Sequence, residues 1–401
     1  MRKIVVVGGG QAGSALIAKL VSEGAEAQIT LLCAEPRLPY QRPPLSKAYL
    51  LGEMEEARLY FRPAEWYDQH GIDVRLGARA EAIDPVARTV TLEGEAIAYD
   101  DLVLTTGAHP RTLPASIGGT LDGVFAVRDL DDADRMGPAF AKGARALIIG
   151  GGYIGLEAAA VAAKRGVQVT LVEAADRILQ RVAAPETSDF FRDLHKGHGV
   201  DIREGVGLEK LTGTDRVTGA VLSDGSTLDI DFAVVGVGIA PATALAEGAG
   251  LSIDNGIAAD AHGRTSDPHI WAAGDCASTP LGDARVRIES VGNAIDQAEI
   301  VAQNLLGRDV TYQPKPWFWS DQFDVKLQIA GLNTGYTAVH VREVGGARSH
   351  WYYRGDDLIA IDSLSDTRGY MVGKRLIEAG KSPAPQVVTD PETDLKALLR
   401  A

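Results

Sequence analysis

Two short apolar runs in the chain each end in a cluster of glycines and lead into a stretch that reads as a helix. Residues 4–7 lead into Gly8, and residues 146–149 lead into Gly150. Continuous apolar runs bounded by turn residues are typical of buried strands. Each pattern therefore predicts a strand, a tight turn and a helix, in that order.

The first of these units is predicted over residues 2–35, with a helix over residues 12–23 that ends at Gly24. The second is centred on residues 146–173. Further apolar runs predict strands at 72–92, 102–108, 234–241 and 270–277, and a helix up to about residue 306. The runs at 102–108 and 234–241 each close a unit with a glycine and a proline, which indicates an internal duplication.

A change of composition marks the last part of the chain. Residues 314–321 are rich in proline and aromatic residues. Beyond them, alternating apolar and polar positions separated by glycine-containing turns predict four strands and a terminal helix, at 326–330, 338–341, 350–353, 358–362 and 373–379. This pattern predicts a third, smaller α+β domain.

The glycine clusters share the spacing G-x-G-x-x-G, at residues 8–13 and 150–155. The first glycine permits a tight turn, the second lets a pyrophosphate approach the backbone, and the third lets the helix pack closely on the strand. Such sites place an acidic residue about 20 residues further on, for the ribose hydroxyls. Glu35 and Glu173 end the second strand of each unit, so the sequence predicts two dinucleotide sites.

Composition narrows the possible functions. A chain of 401 residues with 45% hydrophobic and 23% charged residues is typical of a soluble protein of two or three domains. The net charge of −14 argues against general nucleic-acid binding. No apolar run approaches the length of about 18 residues needed to cross a membrane, and no leader pattern precedes the first strand, so we expect a cytoplasmic protein.

The chain has two cysteines, Cys33 and Cys276, and no C-x-x-C pair. We therefore expect neither a redox disulfide of that type nor a clustered cysteine metal site, and we predict no bound metal.

Beyond these patterns, eight segments of the chain match those of a known family: GGGQAG (8–13), YQRPPLSKAY (40–49), TTGA (105–108), GGGYIGLE (150–157), GVGIAP (236–241), AGDCA (273–277), RIESVGNA (287–294) and PWFWSDQ (316–322). The proline-rich loop at 40–49 and the WFWSDQ segment at 317–322 are more specific than the glycine motifs. Through these segments the chain resembles, over essentially its whole length, the FAD-dependent NADH:ferredoxin reductases of oxygenase and cytochrome P450 systems.

The resemblance implies an α/β fold with two Rossmann-like dinucleotide-binding domains, the glutathione-reductase-like superfold, plus a C-terminal α+β domain. It implies a discontinuous FAD-binding domain over residues 1–110 and 243–316. The NADH-binding domain would cover residues 111–242, and the C-terminal domain residues 317–401.

The resemblance also assigns candidate cofactor-binding residues. Those for FAD are Gly8, Gly10, Ala12, Gly13, Glu35, Arg42, Pro43, Lys47, Ala80, Thr106, Gly107, Arg128, Asp275, Val291 and Trp319. Those for NADH are Gly150, Gly152, Ile154, Gly155, Glu173, Arg181 and Gly238. The candidate catalytic residues are Glu157 near the nicotinamide, Lys47 near the flavin, and Trp319 at the exit towards an iron–sulfur partner. His109, His195 and His198 are expected to be surface or structural residues.

A carboxylate at Glu173 accepts hydrogen bonds from ribose hydroxyls and repels a 2′-phosphate, so it favours NADH over NADPH. Arg177 and Arg181 follow closely in the sequence. Since cations there could attract a 2′-phosphate, the strictness of the preference stays open at this point.

Disulfide reductases of the same superfold carry a C-x4-C pair after the first nucleotide unit, where this chain has residues 43–47 without cysteine. Electrons should therefore leave to a one-electron protein carrier or a diffusible oxidant. We expect a [2Fe–2S] ferredoxin as partner, and a monomer or weak homodimer. The alternatives are a rubredoxin reductase, an NADH oxidase, or a flavin-bearing protein whose redox state gates its association with other proteins.

Overall fold

A computed structural model of the chain describes residues 1–400. The α-helices are Gln11–Ser22, Ala64–Gln69, Leu130–Met136, Tyr153–Lys164, Pro185–Gly197, Ala244–Gly248, Val291–Leu305, Thr367–Glu378 and Pro385–Thr389. Short 3-10 helices are Pro43–Ser46, Glu56–Arg58, Ala115–Ile117, Gly137–Ala139 and Leu395–Leu399. Among these helices of residues 1–400, none combines the length and apolar composition needed to cross a membrane.

The strands up to the second glycine cluster are Arg2–Val7, Ala27–Leu32, Ile72–Arg75, Ala82–Asp84, Thr89–Leu92, Glu95–Ala98, Asp101–Leu104, Ala108–Pro110, Val124–Phe125 and Arg145–Ile149. Those that follow, up to residue 286, are Gln168–Glu173, Asp201–Glu204, Leu208–Gly213, Val217–Leu222, Thr227–Asp229, Phe232–Val235, Ile239–Pro241, Ile257–Ala258, Ile270–Ala272, Ala277–Leu281 and Ala284–Val286. The last five are Trp317–Gln322, Val325–Gly331, Ala338–Val344, Ala347–Arg354 and Asp357–Leu364.

The chain divides into two compact units. The first comprises residues 1–42, 55–109 and 239–316, and the second comprises residues 43–54, 110–238 and 317–400. This division differs from the three predicted domains in three respects. Residues 239–242, predicted to lie in the NADH-binding domain, belong to the first unit. The proline-rich segment 43–54 belongs to the second unit, and the C-terminal segment shares that unit with residues 110–238. The assignment of separate FAD, NADH and C-terminal domains stays a prediction.

The first unit is built on a five-stranded parallel sheet. Its strand order is Ile270–Ala272, Asp101–Leu104, Arg2–Val7, Ala27–Leu32 and Ile72–Arg75. The central strand leads into the first glycine cluster, and its residues are buried from Ile4 onward. This burial explains why the strand reads as a continuous apolar run.

The second unit contains a parallel sheet of the same design. Its strand order is Val124–Phe125, Phe232–Val235, Arg145–Ile149, Gln168–Glu173 and Asp201–Glu204. The central strand again leads into a glycine cluster and a helix. Each central strand thus has the next strand of its strand–helix–strand unit on one side and the strand that closes the unit on the other. The predicted α/β fold with two Rossmann-like units is confirmed.

The C-terminal part of the second unit is an antiparallel sheet backed by a helix. Its strand order is Trp317–Gln322, Val325–Gly331, Asp357–Leu364, Ala347–Arg354 and Ala338–Val344. The helix Thr367–Glu378 begins earlier than the predicted start at residue 373, because Asp366 caps it by accepting a hydrogen bond of 2.8 Å from the Gly369 N–H.

Candidate active site

The first glycine cluster has the geometry that its spacing predicts. A Cβ atom on Gly8 would lie 2.3 Å from the Thr105 carbonyl oxygen, and one on Gly13 would lie 2.1 Å from the Gly8 carbonyl oxygen. In contrast, a Cβ on Gly10 would meet nothing within 4 Å. Gly10 is also the N-cap of the helix Gln11–Ser22, and no side chain caps that helix. The first-turn N–H groups therefore lack a side-chain cap, and the space beside Gly10 at this helix end is open.

The second cluster repeats this geometry within the second unit. A Cβ on Gly150 would lie 2.4 Å from the Gly236 carbonyl oxygen, and one on Gly155 would lie 2.0 Å from the Gly150 carbonyl oxygen. A Cβ on Gly152 would meet nothing within 4 Å, and the helix Tyr153–Lys164 has no side-chain cap. Helix N-termini of this kind bind phosphate through free N–H groups and the helix dipole. Both clusters therefore fit the pyrophosphate of a dinucleotide.

The acidic residue of the second unit lies beside its glycine cluster. The Glu173 carboxylate accepts hydrogen bonds from the Gly151 N–H at 2.7 Å and the Ala175 N–H at 2.8 Å. The nearby Arg177 guanidinium donates to the Ser188 hydroxyl and so takes part in local structure. Of the two arginines that left the nucleotide preference open, Arg177 is thus engaged with residues of its own segment.

The second arginine has a different environment. Arg181 is exposed, and one of its guanidinium nitrogens lies 3.9 Å from the position of a Cβ on Gly238. Gly238 has a φ of +97°, which disfavours any side chain there. Ile154, in the first turn of the neighbouring helix, is 46% exposed. These residues of the second unit leave space in front of its glycine cluster.

The acidic residue of the first unit has side-chain partners instead. The Glu35 carboxylate accepts hydrogen bonds from the Arg42 guanidinium and the Tyr40 hydroxyl. The structure therefore brings together two residues, Glu35 and Arg42, that the resemblance assigns to FAD. Ala80 is buried in the apolar cluster that also contains Val7 and Leu32, at the carboxyl ends of two sheet strands.

Three other predicted FAD residues converge on the first helix. A Cβ on Gly274 would lie 3.0 Å from the Ala12 Cβ and 3.8 Å from the Ala294 Cβ. Asp275 therefore directly follows a residue packed against the first turn of the helix Gln11–Ser22. Val291 is the first residue of the helix that contains Ala294. Ala12, Asp275 and Val291 thus lie around one helix N-terminus.

The remaining predicted residues have mainly local contacts. The Thr106 hydroxyl donates to the Ala242 carbonyl oxygen at 2.7 Å, and Gly107 has a φ of +71°. The backbone N–H of Arg128 donates to the Asp132 carboxylate at 2.9 Å. Pro43 begins the 3-10 helix that precedes Lys47, in the second unit.

A buried ion pair lies in the second unit. Glu157 is 1% exposed, and one of its carboxylate oxygens lies 2.7 Å from the Lys47 ammonium nitrogen. The hydroxyls of Ser46 and Ser320 donate to the same carboxylate at 3.1 and 2.7 Å. The Ser46 hydroxyl, at the end of the 3-10 helix Pro43–Ser46, is thus used for Glu157. This arrangement brings two predicted catalytic residues, Lys47 and Glu157, into direct contact.

Burial raises the pKa of the Glu157 carboxyl, and the Lys47 ammonium and the two serine hydroxyls partly oppose that rise. A buried carboxylate needs such partners because water no longer stabilises its charge. Perturbed titratable groups of this kind are frequent in functional sites. The Glu157–Lys47 pair is therefore the strongest candidate for chemistry in the second unit.

The third predicted catalytic residue, Trp319, directly precedes Ser320 in the sequence but points to the other face of their strand. Trp317 and Trp319 stack with ring centroids 5.6 Å apart and an interplanar angle of 22°. Successive side chains in a strand point to opposite faces. Since Ser320 points to Glu157, the two tryptophans lie on the opposite face of the strand Trp317–Gln322.

The sequence reasoning missed part of the Glu157 environment. Ser320 and Gln322 belong to the WFWSDQ segment, which was noted for its tryptophans alone. His195, expected to be a surface or structural residue, is fully buried, and its Nε2 atom lies 2.8 Å from the Gln322 side-chain oxygen. The alternation of the strand could have pointed to Ser320 and Gln322 as a pair sharing one face.

The comparisons with known proteins agree with this geometry. Residues 2–298 match the model of the pyridine nucleotide-disulphide oxidoreductase family, and residues 317–399 match the reductase C-terminal family. Ferredoxin–NAD(P)(+) reductase fdr of Sphingomonas sp is 42% identical, over 98% of this chain and 96% of that protein. Putidaredoxin reductase CamA of Pseudomonas putida is 39% identical, over 99% of this chain and 97% of that protein.

Solved structures match over the full chain. A covalent putidaredoxin reductase–putidaredoxin complex superposes with a TM-score of 0.96 at 37% identity, covering 100% of this chain and 98% of the reductase. The ferredoxin reductase for the CYP199A2 system from Rhodopseudomonas palustris gives a TM-score of 0.95 at 39% identity, covering 99% of each chain.

The fold and the two glycine sites define a flavoprotein oxidoreductase that uses FAD and NAD(P)H. The chain belongs to the pyridine nucleotide-disulphide oxidoreductase family and, within it, to the ferredoxin reductases that supply oxygenase systems.

Proposed function

We propose that this enzyme takes electrons from NADH in preference to NADPH and delivers them singly to a [2Fe–2S] ferredoxin, which feeds a cytochrome P450 or a Rieske oxygenase. The single observation that carries the proposal is the pair of open, uncapped helix N-termini behind Gly10 and Gly152. To pass a hydride from NADH to FAD, one chain must bind both dinucleotides.

The cysteines support a protein acceptor rather than an internal disulfide. Cys33 and Cys276 are both free and buried. Burial raises the pKa of the Cys33 thiol to about 12, and it also raises the pKa of the Cys276 thiol. Since the thiolate is the reactive form, these residues are poor redox groups. The electrons therefore need an acceptor outside this chain. A similar protein, putidaredoxin reductase, has been crystallised in a covalent complex with putidaredoxin.

We assign FAD to the first unit and NADH to the second. A flavin accepts a hydride from a reduced nicotinamide and can release the electrons one at a time. The N–H groups behind Gly10 would hold the FAD pyrophosphate, with Asp275 and Val291 close to the same helix end. The N–H groups behind Gly152 would hold the NADH pyrophosphate. The roles of Pro43, Lys47, Arg128 and Trp319 towards the flavin rest on the resemblance and stay predictions.

The Glu157–Lys47 pair supplies a buried, oriented charge in the second unit. The Glu157 carboxylate accepts hydrogen bonds from the Ser46 and Ser320 hydroxyls and forms an ion pair with the Lys47 ammonium group. We propose that this pair orients the reacting groups and keeps water away from them, with no obligatory proton transfer from Glu157. We further propose a cytoplasmic location, since free buried cysteines are typical of a reducing compartment. A monomer or weak homodimer stays the prediction for the oligomeric state.

The acceptor can be tested with purified holoenzyme and NADH. We expect fast flavin reduction followed by fast reduction of a [2Fe–2S] ferredoxin, with slower reduction of rubredoxin and of oxygen. Good transfer to rubredoxin alone, or oxygen consumption as fast as ferredoxin reduction, would contradict the proposed partner. Slow turnover with every acceptor, together with an NADH-dependent change of oligomeric state, would support a redox-gated interaction protein instead.

Trp319 gives a second test of the exit. If it contacts the ferredoxin, Trp319→Ala should raise the KM for ferredoxin through a loss of about 2 kcal/mol, close to 30-fold. The rate of flavin reduction by NADH should stay unchanged. Trp317→Ala is the matched control, because Trp317 stacks on Trp319 but is not assigned to the path of the electrons to the ferredoxin. Equal effects of both variants would contradict a specific role for Trp319.

The nucleotide preference depends on the charge of Glu173. Glu173→Gln keeps an oxygen that can accept from the Gly151 N–H but removes the charge that repels a 2′-phosphate. We expect the ratio of kcat/KM for NADH over NADPH to fall about tenfold, the value of one charged hydrogen bond. Glu209→Gln, an exposed residue on the strand Leu208–Gly213, is the control. An unchanged ratio in Glu173→Gln would show that another residue selects the nucleotide.

A further inference from the structure

A chain of hydrogen bonds leads from a buried histidine to the Glu157 carboxylate. The His195 Nε2 atom lies 2.8 Å from the Gln322 side-chain oxygen. The Gln322 amide nitrogen donates to the Ser320 hydroxyl at 3.1 Å, and that hydroxyl donates to Glu157 at 2.7 Å. His195, Gln322 and Ser320 are 0% exposed, and Glu157 is 1% exposed. The chain therefore runs through the interior of the second unit.

The direction of these hydrogen bonds follows from the ends of the chain. An ionised carboxylate can only accept, so the single Ser320 proton is directed to Glu157. The Ser320 oxygen must then accept from Gln322, which turns the amide NH₂ group towards it. The amide oxygen of Gln322 consequently faces His195, so the proton of the neutral imidazole lies on Nε2.

We propose that His195, Gln322 and Ser320 are positioning residues. Each donates a hydrogen bond to the next group along the chain, so that together they hold Glu157 ionised beside Lys47 and set the pH range of hydride transfer. This role for the chain rests on the proposed function of the Glu157–Lys47 pair. It assigns a purpose to two polar residues of the WFWSDQ segment and to a histidine that the proposed electron path does not use.

Protonation of Glu157 on Oε1, the oxygen that faces Ser320, would oppose this arrangement. A carboxyl group protonated there would donate to Ser320, and the chain could then reverse only if the Gln322 amide turned over. His195 would have to accept on Nε2 and carry its proton on Nδ1. The Nδ1 atom is buried and has no hydrogen-bond partner among residues 1–400. Leaving a buried N–H group unsatisfied is costly, so the interior favours the direction that stabilises the ionised carboxylate.

The charge state of the histidine is consistent with this direction. Burial lowers the pKa of His195 to about 4, so the imidazole is neutral at neutral pH. His198, three residues further along the chain, is exposed and stacks on Phe323 with ring centroids 3.8 Å apart. A neutral donor at His195 adds no second positive charge to compete with Lys47.

The groups that face Glu157 come from several elements. Lys47 supplies the positive charge, and Ser46 and Ser320 supply hydroxyls. Asp321, the acidic residue of the strand Trp317–Gln322, is exposed and so lies on the other face. The strand Phe232–Val235 is entirely apolar and buried. The strand Arg145–Ile149 carries one charged residue, Arg145, which is exposed. The strand Gln168–Glu173 ends in Glu173, whose carboxylate accepts hydrogen bonds from the Gly151 and Ala175 N–H groups.

The first test follows the carboxyl group itself and needs no turnover. Infrared difference titration of the holoenzyme should reveal the Glu157 carboxyl band, identified by its loss in Glu157→Gln. Ser320→Ala removes a hydrogen bond to the carboxylate and should shift the titration midpoint upward by about one pH unit. Gln322→Met and His195→Phe should shift it in the same direction by less. Ser320→Thr, which keeps the hydroxyl, should restore the native midpoint.

The second test uses the pH profile of flavin reduction by NADH. One limb of this pH profile should disappear in Glu157→Gln. In the other variants the same limb should move to higher pH, in the same order as their infrared midpoints. His198→Ala is the matched control, because His198 contacts Phe323 as His195 does but makes no bond to Gln322. FAD content and urea unfolding would identify any variant that fails to fold, and the Ser320 pair still decides the question if Gln322→Met does not fold.

Two outcomes would overturn the proposal. An upward shift in Ser320→Ala with none in Gln322→Met and His195→Phe would mean that the effect ends at Ser320. Equal shifts in His198→Ala and His195→Phe would mean a general disturbance of the helix. Failure of native enzyme to reduce its flavin with NADH would instead contradict the proposed function, and the infrared midpoints would remain interpretable in that case.

Discussion

Gly13→Ala is expected to yield protein with little FAD, whereas Gly155→Ala is expected to retain FAD and lose affinity for NADH. A Cβ would lie 2.1 Å from the Gly8 carbonyl oxygen in the first variant and 2.0 Å from the Gly150 carbonyl oxygen in the second. Each contact involves backbone, so the helix must move away from its strand. Overpacking of this kind costs about 1–3 kcal/mol, which corresponds to roughly 5- to 150-fold weaker binding.

The measurements are the flavin absorbance of the purified protein and stopped-flow reduction by NADH. Gly197→Ala is the matched control, since Gly197 ends the helix Pro185–Gly197 and a Cβ there would meet nothing within 4 Å. It should keep both FAD and the native NADH affinity. Loss of FAD in Gly155→Ala with retention in Gly13→Ala would reverse the assignment of the two cofactors. Native behaviour of both variants would contradict the pyrophosphate sites themselves.

The parts of the fold that could be predicted from the sequence depend on local patterns. The buried central strands were readable because both of their faces are covered by apolar packing. The first helix was predicted over residues 12–23 and is Gln11–Ser22 in the structure. The glycine spacing also predicted which positions approach backbone closely and which face open space. These features are properties of short segments, so neighbouring residues carry enough information to specify them.

Contacts between distant segments could not be predicted in the same way. The sequence singled out Lys47 and Glu157 separately, with no pattern to show that they form an ion pair. Nothing near His195 indicated that it would meet Gln322 within the core. The role of Arg177 was likewise open, until its hydrogen bond to Ser188 placed it in local structure. Such pairings depend on how whole elements pack, which periodicity within one segment does not specify.

Lys47→Met is expected to lower the free energy of unfolding more than any other change considered, because it leaves the buried Glu157 charge without its partner. In Lys47→Met, the buried Glu157 carboxylate loses the ammonium group that lies 2.7 Å away. Breaking one partner of a buried pair costs about 3–5 kcal/mol, because the remaining charge is left uncompensated. Urea unfolding of the holoenzyme at neutral pH should show this loss as a lower midpoint. The two serine hydroxyls that remain should keep the cost from rising further.

The loss should depend on pH in a defined direction. Burial already raises the pKa of Glu157, and removal of Lys47 raises that pKa further because its charge opposed the rise. A carboxyl whose folded-state pKa exceeds its unfolded value binds its proton more tightly when folded. Stability is therefore retained below the unfolded pKa and falls as pH rises towards the folded pKa. The difference between Lys47→Met and the native protein should be small in mild acid and should reach its full size above the folded pKa.

The double variant Lys47→Met with Glu157→Leu separates the ion pair from its isolated charges. Replacing both partners by apolar residues of similar volume is often close to neutral, whereas either single change leaves polar groups unsatisfied. We expect the double variant to recover most of the stability lost in Lys47→Met and to lose its pH dependence. It should nevertheless remain slow in flavin reduction, since the oriented charge is gone. Recovery of stability together with native reduction rates would show that the pair serves the fold alone and has no part in the reaction.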